Sequence, residues 1–218
     1  MSVVEREKSI SSKRELLILL IIYLIGWAVL AINPHDRADW ALENFFPLSQ
    51  LAALLITYRW FKFTRLSYYL IFFYLFVQTY GGHWTYALTP PFNYLRDHYH
   101  LSRNHYDRVA HFCLGFLLAI PIREILLRYV VASRRWMAFI VSAIVLAIGA
   151  FYEFIEWWVS VLVTPELGDK FLGTQGDIWD TQWDMFLALV GAICIQALFT
   201  KRHDRELCAY QHSDKTPY

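Results

Sequence analysis

Eight ionisable side chains lie in or beside strongly apolar stretches, where a membrane protein tolerates charge least. They are His83, Asp107, His111, Glu153, Glu156, Asp177, Asp180 and Asp184. Ionisable residues within spanning segments are costly, and they usually face the interior of a helix bundle or a water-filled cavity. We therefore treat these eight residues as candidate functional residues.

Seven of the eight recur at intervals of three or four residues, the spacing that shares one face of a helix. The groups are Asp107 with His111, Glu153 with Glu156, and Asp177 with Asp180 and Asp184. Like charges at such spacing repel each other, and the repulsion grows in a dry site. A polar site here therefore needs a bound cation, shared protons, or basic partners such as Arg103 and Arg108.

A divalent metal ion is one occupant that would offset this repulsion. Mixed imidazole and carboxylate donors suit zinc, manganese or iron, whereas carboxylates alone suit magnesium or calcium. The predicted ligands are His83, His111, Glu153, Asp180 and Asp184. Asp107 would orient the second ring nitrogen of His111. Glu156 or Asp177 would then act as the catalytic base toward a metal-bound water.

Most of these residues, taken one at a time, also have a simpler interpretation. The aspartates that begin helices would act as N-caps or first-turn acids; these are Asp107, Asp177 and Asp180. His111 would be an interior histidine with hydrogen bonds, and His83 an interfacial residue. Glu153 and Asp184 resist this interpretation because both lie well inside apolar segments.

The composition indicates an integral membrane protein. Of 218 residues, 57% are hydrophobic and only 18% are charged, and the mean hydropathy is +0.32. Soluble domains are about 45–50% apolar and about 25% charged. The three cysteines form no CxxC pair, and the chain lacks an HExxH, a GxSxG and a glycine-rich phosphate loop. A thiolate zinc cage and the common hydrolase and P-loop motifs therefore have no support.

Six segments are long and apolar enough to be considered as spans. They are Leu16–Ile32, Asn44–Trp60, Leu66–Tyr80, Arg108–Val130, Trp136–Leu162 and Ile178–Thr200. The sequence predicts an all-α, polytopic membrane helix bundle of about six transmembrane helices. Its membrane domain covers residues 16–200, between polar tails at 1–15 and 201–218.

The basic residues orient this bundle. Fifteen of the 20 Lys and Arg residues fall in the tails and in the second and fourth connections. Basic loops stay in the cytoplasm, so both tails are predicted to be cytoplasmic. The eight ionisable residues then lie toward the periplasmic side.

Three motifs carry a resemblance to a known family. They run from Arg103 to Phe116, from Tyr152 to Trp157, and from Gly173 to Met185. In order and spacing they resemble the YjdF family of bacterial inner-membrane proteins, which is named for a domain of unknown function. The resemblance implies a multi-pass protein of the bacterial inner membrane with a shared polar core at the matched positions.

A more distant similarity covers the last three predicted spans. A DxxxH-like motif opens one helix at Asp107, a later helix carries Glu153, and an aspartate-containing motif around Asp180 begins the last helix. This arrangement is similar to VanZ-type membrane proteins. Neither resemblance implies a reaction.

Three classes of function fit these observations. The first is a membrane-embedded enzyme, with or without a metal ion, that acts on a lipid or a lipid-linked envelope intermediate. The second is a noncatalytic lipid-binding or structural protein, and the third is an ion-coupled transporter. The absence of an internal repeat disfavours transport. The expected partners are membrane lipids and that lipid-type substrate, with no nucleic acid; the oligomeric state is not predicted.

Overall fold

The computed structural model of the chain describes residues 12–130 and 133–214, with side chains described as far as residue 210. Within these ranges the chain forms helices and no strand, which confirms the predicted all-α class. We number the helices in chain order as α1 (Lys13–Leu30), α2 (Arg37–Thr57), α3 (Arg65–His83), α4 (Pro90–Tyr99), α5 (Tyr106–Tyr129), α6 (Met137–Leu162), α7 (Pro165–Leu172) and α8 (Asp180–Asp214).

Three of the helices in the described ranges are long and apolar enough to cross a membrane. They are α5, α6 and the part of α8 from Asp180 to Tyr210. Helices α1, α2 and α3 overlap the first three predicted spans. The helical membrane bundle is thus confirmed, and the count of six spans stays a prediction.

Local chemistry sets several helix ends. The carboxylate of Asp36 caps α2 by accepting hydrogen bonds from two backbone N–H groups of the first turn. The two short helices, α4 and α7, begin with Pro90 and Pro165, whose fixed φ suits a first helical turn. They end at His100 and Gly173 in the left-handed conformation, with φ of 54° and 61°.

The closest helix contact lies between α5 and α8. A Cβ atom on Gly115 would lie 1.8 Å from the carbonyl oxygen of Ala188, and one on Gly191 would lie 2.2 Å from the carbonyl oxygen of Phe112. The two backbones touch because neither glycine has a side chain. Small residues at such interfaces are typical of membrane helices, where packing rather than the hydrophobic effect drives association.

The other helices assemble around this pair. Helix α6 packs on both α5 and α8, α3 packs on α5, and α1 and α2 pack on α3. The short helix α7 lies against α6 and α2. One end of the bundle contains the N-terminal ends of α5 and α8 and the C-terminal ends of α3 and α6. We call it the site end. The other end is called the opposite end.

A saturated polar cluster ties helices together at the opposite end. The fully buried carboxylate of Glu124 accepts hydrogen bonds from the Thr64 N–H (2.8 Å), the Thr64 hydroxyl (2.8 Å) and the Ser67 hydroxyl (2.6 Å). Arg128 donates to it at 3.1 Å, and His203 Nε2 lies 3.4 Å away. This carboxylate therefore joins α3, α5 and α8.

Helix α8 does not stop at the predicted boundary after Thr200. It continues to Asp214, and its extension packs against the bundle: His203 and Leu207 are buried, and Glu206 accepts a 2.9 Å hydrogen bond from the Leu66 N–H. His203, Asp204 and Glu206 face partners on α3 and α5, which is why a polar composition does not give a loose tail here. Its cytoplasmic location stays a prediction.

Replacing Gly115 with alanine is expected to destabilise the bundle by at least about 1–3 kcal/mol, because the new methyl group would meet a backbone carbonyl that cannot move aside. Thermal unfolding of the purified protein in detergent measures the effect. Gly149→Ala is the matched control, because a Cβ there makes an ordinary 3.6 Å contact with the same Ala188. Equal melting temperatures for the two variants would contradict the close packing.

Replacing His203 with alanine is expected to cost about 1–3 kcal/mol, because it leaves buried polar atoms of Glu124 and Arg123 without that partner. Arg205→Ala, at an exposed position of the same helix, should change stability by less than about 0.5 kcal/mol. Melting temperatures in one detergent compare the two. If His203→Ala melts like Arg205→Ala, the extension of α8 is not held as described.

Candidate functional site

Three of the predicted residues meet between α5 and α8. Asp107 and His111 lie on the first two turns of α5, and Asp184 lies on the second turn of α8. Each offers one ligand atom, and these atoms all lie within 4.8 Å of one another. All three side chains are buried, so the group forms an enclosed cluster of one imidazole and two carboxylates.

Glu153 joins this cluster from α6. Its Oε1 atom lies 3.6 Å from His111 Nε2, and Asp107 Oδ1 lies 3.7 Å from the same nitrogen. Both carboxylates therefore approach one ring nitrogen. This differs from the predicted arrangement, in which Asp107 orients the ring through the nitrogen that is not a ligand; the geometry groups Asp107 with the candidate ligands instead.

Several polar atoms of the cluster have no hydrogen-bond partner among the described residues. They are His111 Nδ1, Glu153 Oε1 and Asp184 Oδ1, and each is buried. Native proteins satisfy nearly all buried polar groups, and an exception calls for an explanation such as an ion or an ordered water. The cluster thus offers donor atoms to a small polar occupant.

Arginine side chains neutralise the acids nearest the surface of the site end. Arg103, which is 3% exposed, forms an ion pair with Asp180 and donates to the carbonyl oxygens of Gly173 (3.2 Å) and Thr174 (3.3 Å). Asp180, a predicted metal ligand, is therefore engaged by a guanidinium. It lies next to the cluster rather than in it.

Asp177, a predicted catalytic base, forms an ion pair with Arg108. The Trp179 N–H, which donates to this carboxylate at 2.9 Å, and then Arg108 hold the pKa of Asp177 below its usual range. A general base works best with a pKa near the operating pH. Asp177 is thus better suited to hold Arg108 and the start of α8 than to accept a proton.

His83 lies elsewhere. Its Nδ1 atom makes a 2.6 Å hydrogen bond with the carbonyl oxygen of Leu30, and its own carbonyl oxygen accepts from the His35 N–H at 3.0 Å. It joins the ends of α1 and α3. The structure does not bring this predicted ligand together with His111.

Two hydrogen bonds between the Gln175 side chain and the Asn104 backbone fix the loop that follows α7. The Asn104 N–H donates to Gln175 Oε1 at 2.8 Å, and Gln175 Nε2 donates to the Asn104 carbonyl oxygen at 2.9 Å. Gln175 adopts a positive φ of 50°, and Gly176 follows with φ of 83°. The two reciprocal hydrogen bonds hold this turn over the start of α5, where Arg103 reaches its carbonyl groups.

A small cavity lies beside the cluster, on the side of α2 and α6. Its walls include Glu43, Asp107, His111, Tyr152 and Glu156. Its volume is about 10 Å³, which is close to the minimum for one water molecule. The predicted catalytic residue Glu156 therefore shares a water-sized space with two members of the cluster.

Glu43 is a site residue that sequence reasoning missed. It is 5% exposed, and the Tyr152 hydroxyl donates to it at 3.4 Å. A signal was present: Asp36, Asp39 and Glu43 repeat the i, i+3, i+7 spacing of the acids that open α8. The predicted span began at Asn44, whereas α2 begins at Arg37, so these acids fell in a supposed loop.

Comparison with known proteins places the chain in a family. Residues 15–205 match a family model described as "Predicted membrane protein (DUF2238)". The chain is also 42% identical over 177 residues to the inner membrane protein YjdF of Escherichia coli (strain K12), covering 81% of this chain and 84% of that protein. No solved structure is significantly similar.

The chain belongs to the DUF2238 family of predicted membrane proteins. The predicted relationship to YjdF is thereby confirmed, and the chain is a membrane protein with several apolar helices. The DUF2238 match contains the whole cluster and both arginines that surround it. The distant similarity to VanZ-type proteins stays a prediction.

Replacing Arg103 with methionine is expected to destabilise the protein by about 3–5 kcal/mol, because it leaves Asp180 buried without its countercharge. Arg96→Met is the control, since Arg96 pairs with Asp97, which is 67% exposed, and such surface pairs contribute about 0–1 kcal/mol. Thermal unfolding in detergent measures both variants. A small and similar loss in each would show that the buried pair does not form.

Proposed function

We propose that this chain is a membrane-embedded enzyme whose cluster of Asp107, His111, Glu153 and Asp184 binds a divalent metal ion. Its proposed substrate is a lipid or a lipid-linked envelope intermediate. The observation that supports the metal is the convergence of buried ligand atoms, three of them within 4.8 Å of one another, with nitrogen and oxygen atoms left without partners in the described chain.

The donor set favours zinc or manganese. One imidazole with two or three carboxylates suits either ion, whereas magnesium prefers an all-oxygen site that retains several waters. The enclosed position of the cluster, with Asp184 only 2% exposed, leaves little room for a hydrated magnesium ion. We therefore expect the imidazole of His111 to decide the choice of metal.

The cavity beside the cluster supplies a place for the nucleophile. A bound divalent metal lowers the pKa of a coordinated water and so supplies hydroxide near neutral pH. Glu156 and Glu43 line this space, and either carboxylate can accept the proton of a water held there. Tyr152, which donates to Glu43 and packs edge-on to the His111 ring at 5.8 Å, positions both groups.

Aromatic residues support a substrate at the membrane interface. Four exposed tryptophans surround the site end on α6, on α8 and just before α8; they are Trp157, Trp158, Trp179 and Trp183. Tryptophan is enriched where lipid headgroups meet the hydrocarbon layer. The cluster would thus lie close to headgroup depth, and the distribution of basic residues supports the periplasmic face of the inner membrane for this end.

A noncatalytic role is the second candidate. The pairing of Arg103 with Asp180 and of Arg108 with Asp177 ties the start of α5 to the start of α8. Such pairs suit a purely structural polar layer. They do not account for the unpaired atoms deeper in the cluster, and for this reason we rank the enzyme first.

The metal is tested by elemental analysis of the purified full-length protein. Stoichiometric zinc or manganese is expected in the wild type, with loss of at least about tenfold in affinity for His111→Ala and Asp184→Asn. Asp97→Asn, at an exposed acid of the same end, should retain the metal. Equal and near-zero metal in all four proteins would remove the metal-dependent proposal.

The catalytic step is tested separately with Glu156→Gln. This variant should keep the metal, because Glu156 lines the cavity and is not in the ligand group, but it should lose turnover by about 100-fold or more. Vesicles made from a total lipid extract of bacterial inner membrane serve as substrate, with mass spectrometry of the products. Wild-type protein that carries metal and alters no lipid would support the noncatalytic role.

A further inference from the structure

An open groove separates α1 from α2 in the half of the bundle near the opposite end. At the site end the two helices meet, because Trp27 Nε1 donates to Asn44 Oδ1 at 2.8 Å and the Trp27 ring lies 5.7 Å from the Trp40 ring. Away from this contact both helices pack on α3 and enclose a space of about 380 Å³.

The walls of this groove are almost wholly apolar. They are formed by Leu16, Leu17, Leu19 and Leu20 of α1, Leu51, Leu54 and Leu55 of α2, and Ile71, Phe72 and Leu75 of α3. Tyr23 also lines it, with its hydroxyl turned away to Thr79 at 3.0 Å. A space of this shape and character fits a hydrocarbon chain.

Two lysines stand at the end of the groove nearest the opposite end of the bundle. Lys13 lines the groove from the first turn of α1, and Lys62 lies 5.6 Å from the ring centre of Tyr58, another lining residue. Both lysines are exposed, and neither forms an ion pair with any described residue. Arg65 differs, because Glu15 neutralises it at 2.7 Å.

We propose that this groove is a specific binding site for one anionic phospholipid of the surrounding bilayer. One acyl chain lies between α1 and α2, and the phosphate lies at the ammonium groups of Lys13 and Lys62. Lysine binds phosphate as a point charge, and basic groups at a membrane surface attract anionic lipids. The combination of an apolar groove with two cations at its end selects a lipid rather than a protein segment.

This site is distinct from the candidate metal centre. None of the described residues lines both the groove and the cavity beside His111. The proposal therefore stands whether or not the chain is an enzyme. A bound lipid would fill the gap between α1 and α2, so we expect it to stabilise the position of these helices on α3.

The charge of the site is tested by native mass spectrometry of the full-length protein in detergent. Phosphatidylglycerol and phosphatidylcholine with identical acyl chains are the probes, and the wild type should retain the anionic lipid preferentially. Each of Lys13→Gln and Lys62→Gln should weaken phosphatidylglycerol binding by about fivefold, without changing phosphatidylcholine. Lys201→Gln is the control, an exposed lysine on α8.

The apolar part is tested by filling the groove. Phosphatidylglycerol is expected to raise the melting temperature of the wild type. Leu20→Trp should reduce the binding of both lipids and abolish that increase. Leu198→Trp, at a 68% exposed position on α8, adds the same side chain outside the groove and should bind like the wild type.

Three results would overturn the proposal. They are equal retention of the two lipids by the wild type, a loss for Lys201→Gln as large as that for the groove lysines, and unchanged lipid binding by Leu20→Trp. The lysine substitutions lie at exposed positions and should not disturb folding. They therefore test the lipid site even if Leu20→Trp fails to fold.

Discussion

The backbone contact between α5 and α8 is the constraint on which the candidate site depends. Gly115 lies one helical turn after His111, and Ala188 lies one turn after Asp184. Because Gly115 brings the two backbones together, the side chains one turn closer to the site end are held within ligand distance of each other. An apolar contact between small residues thus sets the geometry of the buried polar cluster, and a larger residue at Gly115 would separate the ligands together with the helices.

Charge compensation differs between the two ends of the same bundle. At the opposite end, Glu124 has two hydroxyl donors, a backbone N–H and an arginine, so this carboxylate is satisfied within the chain. At the site end, Arg103 and Arg108 form their shortest ion pairs with Asp180 and Asp177, the acids nearest the surface. Beneath them, Asp107 lies 3.9 Å from Arg103, whereas Glu153 and Asp184 form no ion pair with an arginine or lysine among the described residues. The same bundle therefore satisfies the buried carboxylate at one end and leaves excess negative charge in the cluster at the other. A metal ion or shared protons would offset that charge.

The sequence predicted the membership of the cluster better than the role of each member. Spacing alone placed Asp107 with His111 on one helix face, and the apolar surroundings of Asp184 and Glu153 indicated a common interior. Three features escaped it for physical reasons. The direction of His83 depends on how far α3 continues through two glycines. Arg103 was predicted as a countercharge, but Asp180, the acid that it pairs with, is 77 residues away and could not be assigned from spacing. Glu43 was missed because the start of a span is set by tertiary contacts with α3 and α7 as well as by composition.

Access to the cavity depends on the short helix α7. Lys170, Phe171 and Gly173 line the cavity, so this segment separates it from the surface of the site end. The turn after it is fastened by two Gln175 hydrogen bonds and by Arg103, and it would be costly to displace. The helix itself is joined to α2 by the Lys170–Asp36 pair at 2.6 Å, in which the lysine is 46% exposed. Exposed pairs contribute only about 0–1 kcal/mol, whereas burying an aromatic side chain contributes about 1.5–3 kcal/mol. Phe171, which is 3% exposed, therefore holds α7 over the cavity more firmly than the Lys170–Asp36 pair does.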